Sequence, residues 1–196
     1  MIQLPPAPKR GAVSLEEALW GRRSVRDFRE DPLELGVVAR LLWAAQGLSG
    51  GRRARTAPSA GALYPLELYL VAGAVEGLSQ GTFRYHPHEH ALLQVAEGDR
   101  REVLAGAAYA QPWVAAGAAL VAVAGCYERT AAKYGEKGVR YVHLEAGHAA
   151  QNLQLQAGVL GLGSVCVGAF DGDEVARLVP LAKGETPLYL IPVGKT

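Results

Sequence analysis

Ala118-Ala119-Leu120-Val121-Ala122-Val123-Ala124 is an unbroken run of small and branched apolar residues lying between Gly117 and Gly125. It does not alternate. A strand with one wet face carries polar residues at every second position, so this run predicts a strand buried on both faces. Leu66 to Ala72 reads the same way. Two shorter runs, Thr82 to His86 and Ala91 to Val95, flank a His/Pro turn as in a β-hairpin. Ser164 to Val167 and Thr186 to Val193 are the remaining strands.

Helical patterns separate these strands. Ser14 with Glu17 three places on forms a capping box for a helix to about Leu19. A second helix is predicted from Asp31, with Pro32 in its first turn and Glu34 completing a box, ending at Gly47, Gly50 and Gly51. Shorter helices are expected over about Arg100–Tyr109 and Glu128–Tyr134, and after Asp171. A long one runs from about Val139 to Leu160, with Leu144, His148, Gln151, Leu155 and Val159 at helical spacing as its core stripe. Strands buried on both sides and helices between them predict a layered α+β or α/β domain. No repeat or long linker divides residues 1–196, so one domain is expected, with 1–12 as an extended arm.

Composition narrows the class. Hydrophobic residues are 49% of the 196 and charged ones 20%, which excludes a disordered chain or a coiled coil. A net charge of +1 gives no general drive toward nucleic acid or acidic membranes. Cys126 and Cys166, far apart in apolar runs, read as reduced core residues. The first residues lack a basic head and apolar stretch, and the longest small-apolar run, Val114 to Gly125, falls well short of the roughly 20 residues a bilayer needs. A soluble, cytoplasmic protein is expected.

Three stretches could carry chemistry. Arg22, Arg23 and Arg26 surround Ser24, and guanidinium forks match phosphate oxygens; a solvated basic turn would look the same. Pro58-Ser59-Ala60-Gly61-Ala62-Leu63-Tyr64-Pro65 is either a loop whose backbone approaches a ligand closely or an ordinary lead-in to a strand. Gly161-Leu162-Gly163 through Val167-Gly168 turns a helix sharply into a buried strand. His86, His88 and His90 alternate, but a proline-containing turn does not hold metal ligands rigidly, and no metal is expected. His148 reads as a buried, hydrogen-bonded histidine, and Gln111 as a possible ligand contact.

Together the stretches resemble a known family. Arg22-Arg-Ser-Val-Arg26 followed by an aromatic, Pro58-Ser-Ala-Gly-x-x-Tyr-Pro65, Glu145-Ala-Gly-His-Ala-Ala-Gln-Asn152, Gly168-Ala-Phe-Asp171 and Leu190-Ile-Pro-Val-Gly194 stand in the order found in the FMN-dependent nitroreductase superfamily. Within it the chain is most similar to the SagB-type branch of thiazoline and oxazoline dehydrogenases. The resemblance runs from about residue 14 to the end.

That resemblance implies an α+β fold with a central, mostly antiparallel or mixed sheet, an intertwined homodimer, and FMN held between the subunits. By position, Arg22, Arg23, Ser24 and Arg26 match the segment that holds the phosphate and the flavin's pyrimidine edge. Pro58, Ser59, Ala60 and Gly61 match a loop reaching the cofactor across the interface. Val167 and Gly168 match the backbone near N5, and Lys195 is a further basic candidate for the phosphate. Lys133-Tyr134 resembles the catalytic Lys-Tyr pair of azoline dehydrogenases, where a base would remove a proton as hydride leaves. A snorkelling lysine at a helix end would look alike. The implied activity is ping-pong transfer from NAD(P)H to a nitroaromatic, quinone or related small acceptor. Azoline oxidation on a peptide, oxygen-dependent fragmentation or dehalogenation, and flavin binding without turnover are the alternatives.

Overall fold

The computed structural model describes residues 1–50 and 54–196; Gly51, one of the predicted helix-ending glycines, lies outside them. The buried run is the middle of the architecture. It forms β7 (Ala119–Cys126), which pairs antiparallel with β3 (Leu66–Ala72) on one side and β9 (Glu185–Lys195) on the other. Beyond β3 lie β5 (Gly81–His86), β6 (Ala91–Glu97) and the two residues of β1 (Ile2–Gln3); beyond β9 lies β8 (Leu162–Ser164). Every pairing in this seven-stranded sheet is antiparallel.

Both faces of β7 are covered, which explains the missing alternation. Val121 and Val123 face one layer, with Leu68, Leu70, Ile191 and Val193 beside them, packed under α2 (Leu35–Gln46) and α6 (Lys137–Val159). Leu120, Ala122 and Ala124 face the other, with Tyr69, Val71 and Leu190, under α3 (Arg101–Ala107), α4 (Trp113–Ala116) and α7 (Gly172–Leu178). Two further helices, α1 (Leu15–Gly21) and α5 (Tyr127–Tyr134), complete the set. The Ser14–Glu17 capping box forms at the start of α1 as the sequence predicts.

Two expectations are overturned. Residues 31–34 do not open a helix: Leu33, 1% exposed, donates its N–H to Ala74 O, and β2 (Leu33–Glu34) pairs in parallel with β4 (Val75–Glu76). Burying Leu33 in that ladder outweighs the local helix-start signal, and α2 begins only at Leu35. The inward face of α6 is also not the predicted stripe. Val142, Glu145, Ala146, Ala149, Ala150, Leu153 and Ala157 are buried, whereas Leu144 is 51% exposed and His148 is exposed, so His148 is not a core histidine. Small residues on the inner face let α6 sit close to α2 and the sheet, which larger ones would prevent. No helix is long and apolar enough to cross a membrane among the described residues.

Candidate active site

The arginine segment runs along the β8–β9 edge. Val25 N–H donates to Ser164 O (3.0 Å) and Arg29 N–H to Lys195 O (2.9 Å). The glycines of this edge make room for it. A Cβ on Gly163 would stand 2.6 Å from Val25 Cγ1, and one on Gly194 would stand 3.0 Å from the Phe28 ring. With Val25 and Phe28 turned inward, Ser24 and Arg26 are exposed and Arg22 half-buried. Arg22 and Arg26 form no ion pair among the described residues, although the Arg26 guanidinium lies 5.3 Å from the Trp113 ring centre. Arg23 differs: its Nη1 donates to Trp20 O and Arg22 O, both at 2.8 Å, and so caps the carbonyl end of α1.

Arg22 and Arg23 border a cleft of about 270 Å³ walled by Gly158, Gly161, Ser164 and Thr196, with no acidic residue in its lining. Lys195, at the end of β9, is half-buried beside it. Burial pushes the Cys166 thiol up to about 11 against the pull of Arg22, which keeps it a neutral thiol. Val167 exchanges both backbone hydrogen bonds with Leu190 (2.8 and 2.9 Å), so its amide is spent. Gly168 is exposed and its amide has no partner among the described residues; a Cβ there would meet only the Tyr189 ring, at 3.8 Å. Gln111 Nε2 steadies the next residue by donating to Ala169 O (2.9 Å) and to Ala108 O (2.7 Å), so this amide is engaged with the backbone.

Pro58–Tyr64 forms a separate group. Gly61, Ala62 and Tyr64 all have positive φ (63°, 53° and 48°), a conformation only glycine adopts without strain. Ser59 Oγ accepts from Tyr64 N–H (2.8 Å), closing the loop on itself. Lys133 and Tyr134, on the last turn of α5, reach this loop. A Cβ on Gly61 would lie 2.8 Å from Tyr134 Oη and 2.9 Å from Lys133 Nζ. Tyr134 meets Tyr141 of α6 edge to face, 5.1 Å between ring centres.

Behind the loop is a second cavity of about 270 Å³, bordered by Pro58, Ser59, Ala60, Tyr141, Glu145 and His148. Glu145 is 2% exposed, and its Oε1 is buried without a hydrogen-bond partner. Burial drives its pKa up to about 7, against the opposing pull of Ser59, Arg55, Gln46 and Arg129. Sequence reading includes Glu145 only as part of a motif and misses Arg129 altogether. Arg129 binds Tyr64 O and Glu67 (2.8 Å), partners more than 60 residues away that leave no local pattern.

The structure therefore brings Pro58–Gly61 together with Lys133 and Tyr134, and lays the segment from Arg22 to Arg29 along Ser164 and Lys195, with Arg22 in the field of Cys166, the residue before the Val167–Gly168 turn. It does not join the two groups: they border different cavities of the chain. Among the described residues no three metal-type ligands cluster; His90 instead bridges Tyr85 Oη (2.8 Å) and Pro5 O (2.9 Å).

Comparison with known proteins defines the class. The model of the nitroreductase family matches residues 19–195. A protein of Methanocaldococcus jannaschii, provisionally named a nitroreductase, is 41% identical over 194 residues, covering 99% of this chain and 96% of its own length. A solved structure from Ralstonia eutropha JMP134, provisionally named likewise, aligns with a TM-score of 0.85 at 26% identity over 100% of this chain and 89% of that one. The E. coli microcin synthetase McbBCD complex with truncated pro-MccB17 bound shares the fold, with a TM-score of 0.74 at 22% identity over 99% of this chain and 78% of that one. The family is one of oxidoreductases. The chain belongs to the nitroreductase family.

Proposed function

We propose that the protein binds FMN and passes electron pairs from NAD(P)H to a small acceptor such as a quinone or nitroaromatic. The Arg22–Arg26 segment carries this reading: it is held by its backbone to a glycine-rich edge while Arg22 and Arg26 have no acidic partner among the described residues. The unpaired Arg22 guanidinium, beside a cleft with no acidic side chain among its lining residues, fits a phosphate, and Ser24, two residues on, adds a hydroxyl. Arg23 shapes the segment through its helix carbonyls. Arg26 supplies fixed positive charge for the electron-rich edge of the ring system, and Lys195, paired in the sheet with Leu162 of the cleft lining, is the further basic candidate for the phosphate. Gly168 offers the free backbone N–H at the ring, whereas Val167 only anchors that turn.

FMN, when bound, supplies hydride chemistry at N5. The chain's own part is to orient, to hold charge and to move protons. Lys133 Nζ and Tyr134 Oη, both against Gly61, are suited to proton transfer with the substrate. Because the loop and the arginine segment lie apart on one chain, a complete site requires two copies, with Pro58, Ser59, Ala60 and Gly61 reaching the flavin held by the other. Leu144 on α6 and Leu15, Leu19 and Trp20 on α1 are exposed apolar side chains that such a homodimer would cover.

The Lys133–Tyr134 contact also favours a second reading, oxidation of an azoline ring, as in the SagB-type branch. One titration separates the possibilities. Protein reconstituted with FMN is followed anaerobically in the visible flavin band as NADPH and then NADH are added. Bleaching supports the reductase. A band that persists favours azoline oxidation or binding without turnover. Failure to bind FMN overturns the reading.

A further inference from the structure

The Pro58–Tyr64 loop is strained, and something outside it must hold the strain. Tyr64 is restrained at three points. Its N–H is fixed by Ser59 Oγ (2.8 Å), its ring lies under the Arg55 guanidinium (4.7 Å to the ring centre), and its carbonyl accepts from Arg129 Nη1. The third restraint alone comes from another element, α5. Arg129 stands one turn before Lys133 on that helix, so the side chain that grips Tyr64 also sets how far Lys133 and Tyr134 lie from Gly61.

Arg129 is itself anchored. Its Nη2 pairs with Glu67 Oε1 (2.8 Å), and Glu67 Oε2 pairs with Arg84 (3.1 Å). Arg84 pairs with Glu185 Oε1 (2.9 Å), and Glu185 Oε2 accepts from Tyr69 Oη (2.6 Å). The carboxylates are 15% and 5% exposed and the Arg129 side chain 37%, so screening by solvent is least at Glu185 and greatest at Arg129. It ties α5 and the loop to β3, β5 and the start of β9. The fork geometry matters: one guanidinium serves a carbonyl and a carboxylate at once, which an ammonium on a flexible stem does poorly.

We propose that Arg129 is a positioning residue of the active site, clamping the strained Pro58–Tyr64 loop to α5 so that Pro58–Gly61 and the Lys133–Tyr134 pair present one preformed surface to the flavin. This rests on the flavin reading above.

The test uses the full chain and two readouts. Hydrogen exchange over residues 58–64 is measured without cofactor, and FMN affinity is measured by quenching of flavin fluorescence. Arg129→Ala is expected to raise loop exchange and weaken FMN binding, each by about tenfold or more. Arg129→Lys is expected to recover part of both. Tyr69→Phe cuts the network at its far end and is expected to leave both near wild type, even where the melting temperature falls. Unchanged loop exchange in Arg129→Ala, or equal effects from Tyr69→Phe, overturns the proposal. Wild-type FMN affinity in Arg129→Ala also overturns it and leaves the flavin reading standing. If the unaltered protein binds no FMN, that reading falls and takes this one with it.

Discussion

Glu145 sits on the inner face of α6 with almost no access to water, close to Ser59 and Gln46 and within the field of Arg55 and Arg129. Burial nevertheless dominates and lifts its pKa from 4.5 to about 7. In this range the folded state holds a proton that the unfolded chain releases, so stability is highest below about pH 4.5. It is lost as pH rises toward 7 and is level above that. The contribution is on the order of 3 kcal/mol. Glu145→Gln, which cannot ionise, is expected to flatten the urea midpoint between pH 5 and pH 8; a slope surviving in that variant would point to another group. None of this is legible locally. Glu145 lies between Leu144 and Ala146, and only the packing of α6 against the loop takes its carboxyl out of water. Arg129, Glu67, Arg84 and Glu185 likewise find one another across distant parts of the chain. The arginine segment, by contrast, is legible because its residues are consecutive.

Elements were readable to the extent that burial was one-sided or complete. β3 and β7, covered on both faces, leave continuous apolar runs, and Leu66–Ala72 matches the sequence reading at both ends. α6 was read on the wrong face because its buried face is built largely of alanines, which carry a weak apolar signal, while the larger Leu144 looks outward among Arg140, His143 and His148. Leu144→Asp tests whether a second copy covers that outer face. An exposed site in an isolated chain tolerates such a change within about 0.5 kcal/mol. The expected outcome is a halved mass by sedimentation with the fold retained; an unchanged mass would remove this surface from the interface. At the β8–β9 edge, Gly163→Ala would press a methyl into Val25 and Thr196. Overpacking of this kind typically costs about 1–3 kcal/mol, and displacing Val25 moves its flanking arginines. Weaker FMN binding is expected alongside a lower melting temperature, and wild-type affinity would mean that the segment adapts.

At the scale of the whole molecule, the sheet explains why candidate residues far apart in sequence form two groups. Strand order β3–β7–β9–β8 spaces the loop before β3 away from the edge that carries Arg22–Arg26. The sequence contains every residue of both groups, but not their separation, which depends on that order. The separation has a consequence for mixed populations of chains. In the proposed two-copy assembly each site would take its arginine segment from one chain and its loop from the other. A chain altered at Arg22 and a chain altered at Arg129 would, when paired, place both defects in one site and leave the second site wholly unaltered. Two impaired proteins, co-expressed at an FMN concentration too low to fill either altered site, would then restore part of each other's activity, and the recovered fraction would count the mixed pairs.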